Sequence, residues 1–329
     1  MAAPPRPKRG LVLGKFMPPH LGHCHLVDFA RAYVAELTVL VCSIEREPIP
    51  GRLRFEWMKR LFPDCRVVHV TDEVPQAPAD HPDFWPIWRA LLRREAPQGF
   101  DIFFSSEPYG ERVAAEMGAM HLPVDPERKV VPISGQQIRE APMSRWDMIA
   151  QPARPYFLKR VSIFGPESTG KSRLAERLGV HYGTLHVPEF ARTYLDPKNG
   201  ACEPADIEVI ARGQMAAEAA VAERARKILF CDTDVLLTSL WSRMLFGDCP
   251  GWIDETAAGQ QYHLTLLTDI DAPWVDDGQR YFPDAGPRER FFRLCEEALE
   301  RSGRRTLRLS GDWDARFRAA CMAVEALLG

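Results

Sequence analysis

The sequence predicts two consecutive α/β domains, each built on a parallel sheet. The chain has 329 residues, about twice the usual length of one domain. Short apolar segments alternate with amphipathic segments from one end to the other, which is typical of βαβ units. With 46% hydrophobic and 26% charged residues, the composition is that of a globular protein with sizeable cores.

The first half contains four apolar segments of strand length, separated by amphipathic segments of helical period. We predict strands near residue 11 and over 37–42, 67–70 and 101–106, and helices over 23–33, 53–61, 84–94 and 110–117. A segment with two prolines and little periodicity, QPARPY at 151–156, predicts a linker. The expected domains are therefore 1–155 and 156–329.

In the second half the same alternation resumes directly after the expected linker. Strands are predicted over 160–164, 228–231, 264–268 and 306–309, and long helices over 207–227, 288–301 and 314–327. The two expected sheets are a Rossmann-like sheet followed by one that carries a phosphate-binding loop, for the reasons given below.

Charge and composition exclude several classes of protein. The 42 Lys and Arg nearly balance the 45 Asp and Glu, for a net charge of −3, which argues against a DNA-binding protein. No apolar segment approaches the ~20 residues that span a bilayer, and no apolar signal core follows the basic N-terminus. Eight Cys are few for a disulfide framework. We expect a cytoplasmic protein that binds small molecules, neither DNA nor membrane, with a homo-oligomer left open.

A phosphate-binding loop opens the second domain. Gly165-Pro-Glu-Ser-Thr-Gly170-Lys171-Ser172 matches G-x-x-x-x-G-K-[ST], between the strand RVSIF and the helix SRLAERL. Its backbone N–H groups are expected to surround phosphate oxygens at a helix N-terminus. Lys171 would contact the β- and γ-phosphates, and Ser172 would bind Mg²⁺. The other residues of this loop expected to line the nucleotide are Gly165, Glu167, Ser168, Thr169 and Gly170.

Two carboxylates follow strands of the second domain. Asp232, in CDTD, comes at the end of the strand ILF, and Glu189, in PEFAR, follows LHV together with Arg192. Either carboxylate is a candidate for the catalytic base, and Asp232 also for a Mg²⁺ ligand. Asp234 better suits a helix cap.

A further segment of the second domain, APWVDDGQR, predicts a lid. Arg280 would close on phosphates, and Asp276 or Asp277 would hold a sugar hydroxyl. No guanine-reading N-K-x-D motif follows, which favours ATP over GTP.

In the first domain, two histidines are predicted at the start of a helix. Gly14-Lys15-Phe16-Met-Pro-Pro-His20-Leu-Gly-His23 follows the first strand. Imidazoles at a helix N-terminus add donors to the unpaired N–H groups there, so the segment predicts an anion site. His-x-x-His spacing also occurs in zinc sites, but no cluster of Cys, His or carboxylate at suitable spacing completes such a set.

A second segment of the first domain offers further anion donors. Ser134, after the predicted strand VVP, suits a helix N-cap, and Arg139 follows about one turn later. Both would face the same anion as the histidine segment.

These residues resemble a known family. GKFMPPHLGH with ISGQQIR is similar to the nucleotidylyltransferase superfamily, whose two motifs enclose the triphosphate of ATP. An adenylyltransferase domain followed by a P-loop kinase resembles the NadR-type proteins, which combine nicotinamide mononucleotide adenylyltransferase with ribosylnicotinamide kinase. The resemblance extends from residue 10 to the C-terminal helix and includes FSSEPYGERVAAEMGA, GPESTGKS, PEFAR, CDTD and APWVDDGQR.

The resemblance implies two reactions with ATP and Mg²⁺. The kinase would phosphorylate nicotinamide riboside, and the adenylyltransferase would join the product to AMP, giving NAD and pyrophosphate. Lys15, His20, His23, Ser134 and Arg139 would hold phosphates. The remaining nucleotide-binding candidates of the first domain are Gly14, Phe16, Ser105, Glu107, Tyr109, Trp85 and Trp88, the two tryptophans either stacking on the cationic nicotinamide ring or serving only as core.

Two departures from the family pattern bear on function. Gln136 stands where the superfamily often has Thr, which changes one phosphate or cap contact. About nine residues precede the first strand, too few for the helix-turn-helix that some NadR-type proteins carry. The alternative is a kinase whose weak adenylyltransferase domain senses NAD.

Overall fold

The computed structural model describes residues 9–275 and 280–329. The chain divides into two compact units between Arg154 and Pro155, hereafter the first and the second unit. A short helix, α6 (Arg154–Phe157), spans the division.

The first unit is a three-layer α/β structure with a five-stranded parallel sheet in the order β3-β2-β1-β4-β5. Its strands are β1 (Arg9–Gly14), β2 (Glu36–Cys42), β3 (Arg66–Val70), β4 (Ile102–Ser105) and β5 (Met120–Pro123). Its helices are α1 (Leu21–Tyr33), α2 (Gly51–Leu61), α3 (Phe84–Glu95), α4 (Gly110–Met117) and α5 (Gly135–Glu140).

Both faces of this sheet are covered because its central strands are apolar on both sides. On β1, Val12 packs in one core with Leu26 of α1 and Met58 of α2. Leu11 packs in the opposite core with residues of α3 and α4. From β1 the sheet continues to β2 and β3 on one side and to β4 and β5 on the other. The loops that follow β1 and β4 therefore diverge and form a crevice at the carboxyl edge of the sheet.

The second unit has a second five-stranded parallel sheet, in the order β10-β9-β6-β8-β7. Its strands are β6 (Lys159–Phe164), β7 (His186–Val187), β8 (Ile228–Asp232), β9 (Leu264–Thr268) and β10 (Thr306–Leu309). Its helices are α7 (Lys171–His181), α8 (Phe190–Leu195), α9 (Pro204–Ala222), α10 (Val235–Phe246), α11 (Gly251–Gly259), α12 (Ala285–Ser302) and α13 (Trp313–Leu328). Val161 faces α7 and α13, and Phe164 faces α10 and α12.

The predicted two-sheet α/β fold is confirmed, but one strand was misplaced. VVP before Ser134 is not a strand; the fifth strand of the sheet is β5 instead. The Asp125 carboxylate accepts the backbone N–H groups of Lys129, Val130 and Val131 at 2.8 to 3.2 Å. These N–H groups are therefore used in a side-chain-capped turn and do not join the sheet.

Two other boundaries differ from prediction. The expected linker at 151–156 forms helical turns, with Pro152 buried. The helix expected to reach residue 227 ends at Ala222, and Lys227 has a φ of 64°, which is incompatible with a continuing helix. In the part of the chain that the structure describes, no helix combines the length and apolarity required to cross a membrane.

Candidate active sites

The histidine segment lies where the sequence predicted, at the junction of β1 and α1. His20 is the N-cap of α1, and its Nδ1 accepts the backbone N–H of His23 at 3.3 Å. The two imidazole rings stack with centroids 3.7 Å apart. Because Nδ1 of His20 is an acceptor, a neutral His20 carries its proton on Nε2, which is therefore free to donate to an anion.

Both imidazoles are held neutral at physiological pH. Burial first, and then the Arg128 guanidinium, lower the pKa of His20 to about 4. Burial, His20 and Arg128 lower the pKa of His23 well below its usual range. His23 Nδ1 is buried and has no hydrogen-bond partner among the described residues. The pair is thus a neutral donor site next to a fixed cation.

The two histidines line a polar cavity of about 410 Å³, which we call the histidine cavity. Most of the predicted site residues of the first unit border it: Gly14, Lys15, Phe16, His20, His23, Ser105, Glu107, Tyr109 and Arg139. Gln136 borders it as well. Loops after β1 and β4 and the start of α5 supply these residues, so the carboxyl edge of the sheet brings them together.

Arg128 also lines the histidine cavity and was not predicted. Its guanidinium donates to Glu107 at 2.9 Å and to the carbonyl of Ile133 at 3.3 Å. The Asp125-capped turn fixes its backbone, at a φ of 52°. No motif surrounds it in the sequence, since VDPER is an ordinary loop composition.

A buried ion-pair network positions Lys15. Glu47 lies 2.8 Å from Lys15 Nζ and also pairs with the fully buried Arg54. Arg54 in turn donates to the carbonyl of Lys15 at 2.6 Å. Burial alone would raise the pKa of Glu47, but hydrogen bonds from Lys15, the Ile44 N–H and Arg54 outweigh it and lower that pKa. Glu47 was not predicted as a site residue. Its position shortly after β2, at the carboxyl edge of the sheet, was the only feature of the sequence that could have indicated it.

Ser134 caps α5 as predicted, but its hydroxyl is used within the helix. It accepts the N–H of Gln137, whose side chain accepts the N–H of Ser134, and so completes a capping box. Arg139 donates to the carbonyl of Met17. Gln136, the departure from the family pattern, donates to Glu140 at 2.8 Å. At α5 the histidine cavity is therefore bordered by Gly135, Gln136 and Arg139, and Ser134 lies outside its lining.

The carboxyl end of β4 supplies the next predicted residues. Ser105 is buried and contacts His121 at 3.0 Å, and Tyr109 lies between the histidine cavity and a second cavity. Burial raises the pKa of Tyr109 above its usual range, so its hydroxyl remains a neutral donor.

The second cavity, which we call the tryptophan cavity, is apolar. Its lining includes both predicted tryptophans together with Phe84, Tyr109, Cys42 and Lys15. Trp88 is fixed by a 2.9 Å hydrogen bond from its Nε1 to the carbonyl of Pro75, and Trp85 contacts Arg112 by a cation–π interaction. Both indoles also pack on the core. Because Lys15 and Tyr109 border both cavities, a flat ring and a charged phosphate chain can be bound side by side.

In the second unit, the phosphate-binding loop joins β6 to α7 as predicted. Gly165 and Gly170 have φ values of 134° and 83°, which only glycine adopts without strain. A Cβ on Gly170 would lie 2.2 Å from the Trp313 ring, so glycine is also required by space. Lys171 is buried, and its Nζ donates to the Pro166 carbonyl of the same loop at 2.9 Å.

Side chains of the phosphate-binding loop form hydrogen bonds to neighbouring segments of the chain. They belong to Glu167, Ser168 and Thr169. The Glu167 carboxylate accepts the N–H groups of Tyr281 and Phe282 at 2.9 and 2.7 Å. Ser168 Oγ accepts from the Val275 N–H and from Arg280. Arg280 therefore lies against the phosphate-binding loop, and its closing on phosphates stays a prediction. The other predicted lid residues, Asp276 and Asp277, lie outside the described residues.

The two candidate carboxylates face each other at the carboxyl ends of β7 and β8. Asp232 is buried, and its Oδ1 has no hydrogen-bond partner among the described residues. Burial first, and then Glu189, raise the pKa of Asp232 to about 6, against the opposing influence of Lys171, Ser172 and Arg192. Glu189 is paired with Arg192 at 3.2 Å. The structure thus brings both carboxylates together with Lys171 and Ser172.

Beside the two carboxylates lies a mostly apolar cavity that Glu189 borders. We call it the Glu189 cavity. Its lining is Glu167, Lys171, Glu189, Ala191, Arg192, Leu195, Cys202, Ile207, Ile210, Gln214, Thr233, Thr238, Trp241, Leu245 and Tyr281. A separate cavity on the other side of the loop is lined by Gly170, Arg173, Arg177, Trp313 and Arg316. Neither Trp313 nor Arg316 was predicted, because each is isolated in the sequence.

The zinc alternative for the histidine segment has no structural support. Among residues 9–275 and 280–329, no three His, Cys, Asp or Glu side chains group into a potential metal site.

Comparison with known proteins matches this arrangement over nearly the whole chain. Residues 160–316 match the family described as AAA domain. The trifunctional NAD biosynthesis/regulator protein NadR of Escherichia coli (strain K12) is 28% identical over 350 residues, covering 99% of this chain and 85% of that protein. Its counterpart in Salmonella typhimurium (strain LT2) is 28% identical, covering 97% and 83%. The chain is therefore similar to NadR proteins over nearly its whole length.

Solved structures show the same fold as this chain. A NadR protein in complex with NR has a TM-score of 0.81 at 21% identity, covering 98% of this chain and 97% of that one. A NadR protein in complex with NAD and AMP-PNP has a TM-score of 0.80 at 21% identity, covering 97% and 96%. The similarity in fold therefore covers both parallel sheets of this chain.

Proposed function

We propose that the chain is a bifunctional enzyme of NAD biosynthesis. Its second unit phosphorylates nicotinamide riboside with ATP, and its first unit joins the resulting mononucleotide to the AMP part of ATP, releasing pyrophosphate. The observation that carries the proposal is the pairing of cavities in the first unit, where Lys15 and Tyr109 join a polar anion cavity to an apolar one lined by indoles. The relatives named for NAD biosynthesis support it.

In the first unit, this chain's residues align two nucleotides and offset charge. The mononucleotide phosphate attacks the α-phosphorus of ATP directly, so no protein nucleophile is required. His20, His23, Lys15 and Arg139 donate to the phosphates, where charge develops as pyrophosphate leaves. The indole of Trp85 or Trp88 stacks on the nicotinamide ring, a cation that suits an electron-rich face.

In the second unit, Glu189 and Asp232 take different roles. Glu189 lines the acceptor cavity itself and accepts the proton of the 5′-hydroxyl. Asp232 lies behind it, next to Ser172, with an unpaired buried oxygen. An oxygen pair of this kind fits Mg²⁺, so Asp232 and Ser172 would hold the ion, which offsets phosphate charge when bound. Lys171 and the loop N–H groups hold the β- and γ-phosphates.

Trp313 provides a surface for the adenine of this second ATP. It lies against Gly170, and Arg173 and Arg316 are within cation–π distance of its ring. Aromatic rings bind bases by stacking.

The proposed function is tested by product analysis. Incubation with ATP, Mg²⁺ and nicotinamide riboside should yield both the mononucleotide and NAD, and the mononucleotide supplied directly should yield NAD. Absence of both products would contradict the proposal. Mononucleotide without NAD would indicate the kinase-only alternative, in which the first unit only senses NAD; the matches to NAD biosynthesis proteins do not favour it.

The roles of the two carboxylates can be separated by neutral replacements. E189Q should lower kcat for riboside phosphorylation by about 10²-fold, because general-base catalysis is lost. D232N should raise the Mg²⁺ concentration that half-saturates the rate, measured as a Mg²⁺ titration at fixed ATP. E255Q, which removes the same charge from an exposed site on α11, is the control. An altered Mg²⁺ requirement in E189Q together with an unaltered one in D232N would reverse the assignment.

Arg128 is predicted to contact the triphosphate in the first unit. R128Q should raise the KM for ATP in NAD formation about tenfold, because one charge-assisted hydrogen bond is lost. Burial is the main cause that lowers the pKa of His20, and the Arg128 charge lowers it further, so the same variant should raise that pKa by part of the shift, measured by NMR. K129Q removes the neighbouring, exposed charge and is the matched control. Equal effects of the two variants would exclude a specific contact.

A further inference from the structure

Thr233 has an unusual backbone conformation. Its φ is 76°, in the left-handed region that β-branched residues rarely adopt. Such residues persist only where their surroundings fix them, and they cluster at functional sites. Thr233 lies in CDTD, between the buried Asp232 and Asp234, the N-cap of α10.

The surroundings of Thr233 fix this conformation from several directions. Its N–H donates to the carbonyl of Ile163 at 3.1 Å. The buried Gln214 amide donates to the carbonyls of Thr233 and Asp232 at 3.3 and 3.4 Å. Asp234, on its other side, accepts from Ser162 at 2.8 Å. The backbone of Thr233 is therefore held by contacts that its own side chain does not make.

The side chain itself has no role in these contacts. Thr233 is only 4% exposed, and its Oγ1 has no hydrogen-bond partner among the described residues. Leaving a buried hydroxyl unpaired is unfavourable. Thr233 lines the Glu189 cavity, so a molecule bound there is in position to pair with the hydroxyl.

The position of Thr233 indicates which part of that molecule it meets. It follows directly after Asp232, whose carboxyl interacts with Lys171, Ser172 and Glu189 at the phosphoryl-transfer end of the cavity. The aromatic lining is supplied by Trp241 and Tyr281, with ring centroids 5.9 Å apart. An acceptor that places its 5′-hydroxyl at Glu189 and its ring against this aromatic lining presents the sugar to Thr233.

We propose that the Thr233 hydroxyl hydrogen-bonds a ribose hydroxyl of the acceptor nucleoside and so makes the second unit select ribosides over deoxyribosides. This inference rests on the proposed riboside kinase activity. It adds a specificity-determining residue at the acceptor site.

The test compares Thr233 variants on paired substrates. T233V, which keeps shape and removes the hydroxyl, should raise the KM for nicotinamide riboside about tenfold with kcat changed less than about twofold. T233S, which keeps the hydroxyl, should lie nearer wild type than T233V. With 2′-deoxy- and 3′-deoxy-nicotinamide riboside, wild type and T233V should have equal KM for the analogue that lacks the contacted hydroxyl. T265V is the matched control, since Thr265 on β9 is also buried with an Oγ1 that has no hydrogen-bond partner among the described residues, but lies outside the cavity lining.

Folding is monitored separately by thermal unfolding. T233G removes both the hydroxyl and the strained side chain, so its Tm should rise while its KM rises as in T233V. A T233V KM within twofold of wild type, or an equal tenfold loss on both deoxy analogues, would overturn the inference. Absence of riboside phosphorylation by the wild-type protein would instead overturn the proposed function.

Discussion

K171A is expected to lower phosphorylation of nicotinamide riboside by at least about 10²-fold, because loss of one preorganised phosphate donor has an effect of that size. Lys171 is buried at the start of α7 and is the cation of the phosphate-binding loop. NAD formation from the mononucleotide should be unchanged, because the residues proposed for that reaction all lie in the first unit. The two rates are measured in one preparation, each from its own substrate.

Because K171A also removes a buried aliphatic stem, K171M serves as the second variant. Methionine keeps most of the apolar side chain and removes the charge. Both variants should lose kinase activity to a similar extent while unfolding at temperatures close to wild type. Loss of both activities in a folded variant would show that the two reactions do not occupy separate sites.

H20A is expected to have the converse effect, lowering NAD formation by about 10²-fold and leaving riboside phosphorylation intact. In the free protein His20 is neutral and presents Nε2–H to the histidine cavity. Binding of an anionic triphosphate raises the pKa of both histidines, so ATP binding to the first unit should take up protons below neutral pH. NAD formation and proton uptake are both measurable, the second by calorimetry in buffers of different ionisation enthalpy.

His20 also caps α1, so H20A combines a local stability loss with the loss of a donor. H20N separates these effects, because asparagine is a good N-cap but lacks an imidazole. H20N should recover stability without recovering NAD formation. H25A, which alters the following turn of the same helix outside the cavity lining, is the control. Recovery of NAD formation in H20N would limit the role of His20 to capping.

The sequence predicted best those features that depend on local contacts. His20 at the start of α1 and Ser134 at the start of α5 were expected because a cap is defined by residues within one turn. The phosphate-binding loop was expected for the same reason, since its glycines, lysine and serine are consecutive. The strand predicted at VVP was wrong because a carboxylate four to six residues upstream competes for the N–H groups of that segment.

Residues that depend on long-range contacts were not predicted. Glu47 and Arg54 contact Lys15 because β2 ends beside β1, which Lys15 follows. Arg128 matters because β5 pairs with β4, so that its following turn faces α1. Trp313 contacts Gly170 although the two are far apart in the chain. Such pairs have no signature in sequence because topology alone brings them together.

The sequence by itself predicted two α/β domains, each with its own candidate phosphate site, and the resemblance of its motifs to NadR-type proteins implied the order adenylyltransferase then kinase. Those conclusions rest on motifs whose geometry is set within a few residues. Only the tertiary structure decided what surrounds each phosphate site: the neutral state of the histidines, the placement of Glu189 in a cavity and of Asp232 behind it, and the unpaired hydroxyl of Thr233. These properties depend on burial and on neighbouring charges, which exist only once distant strands have come together.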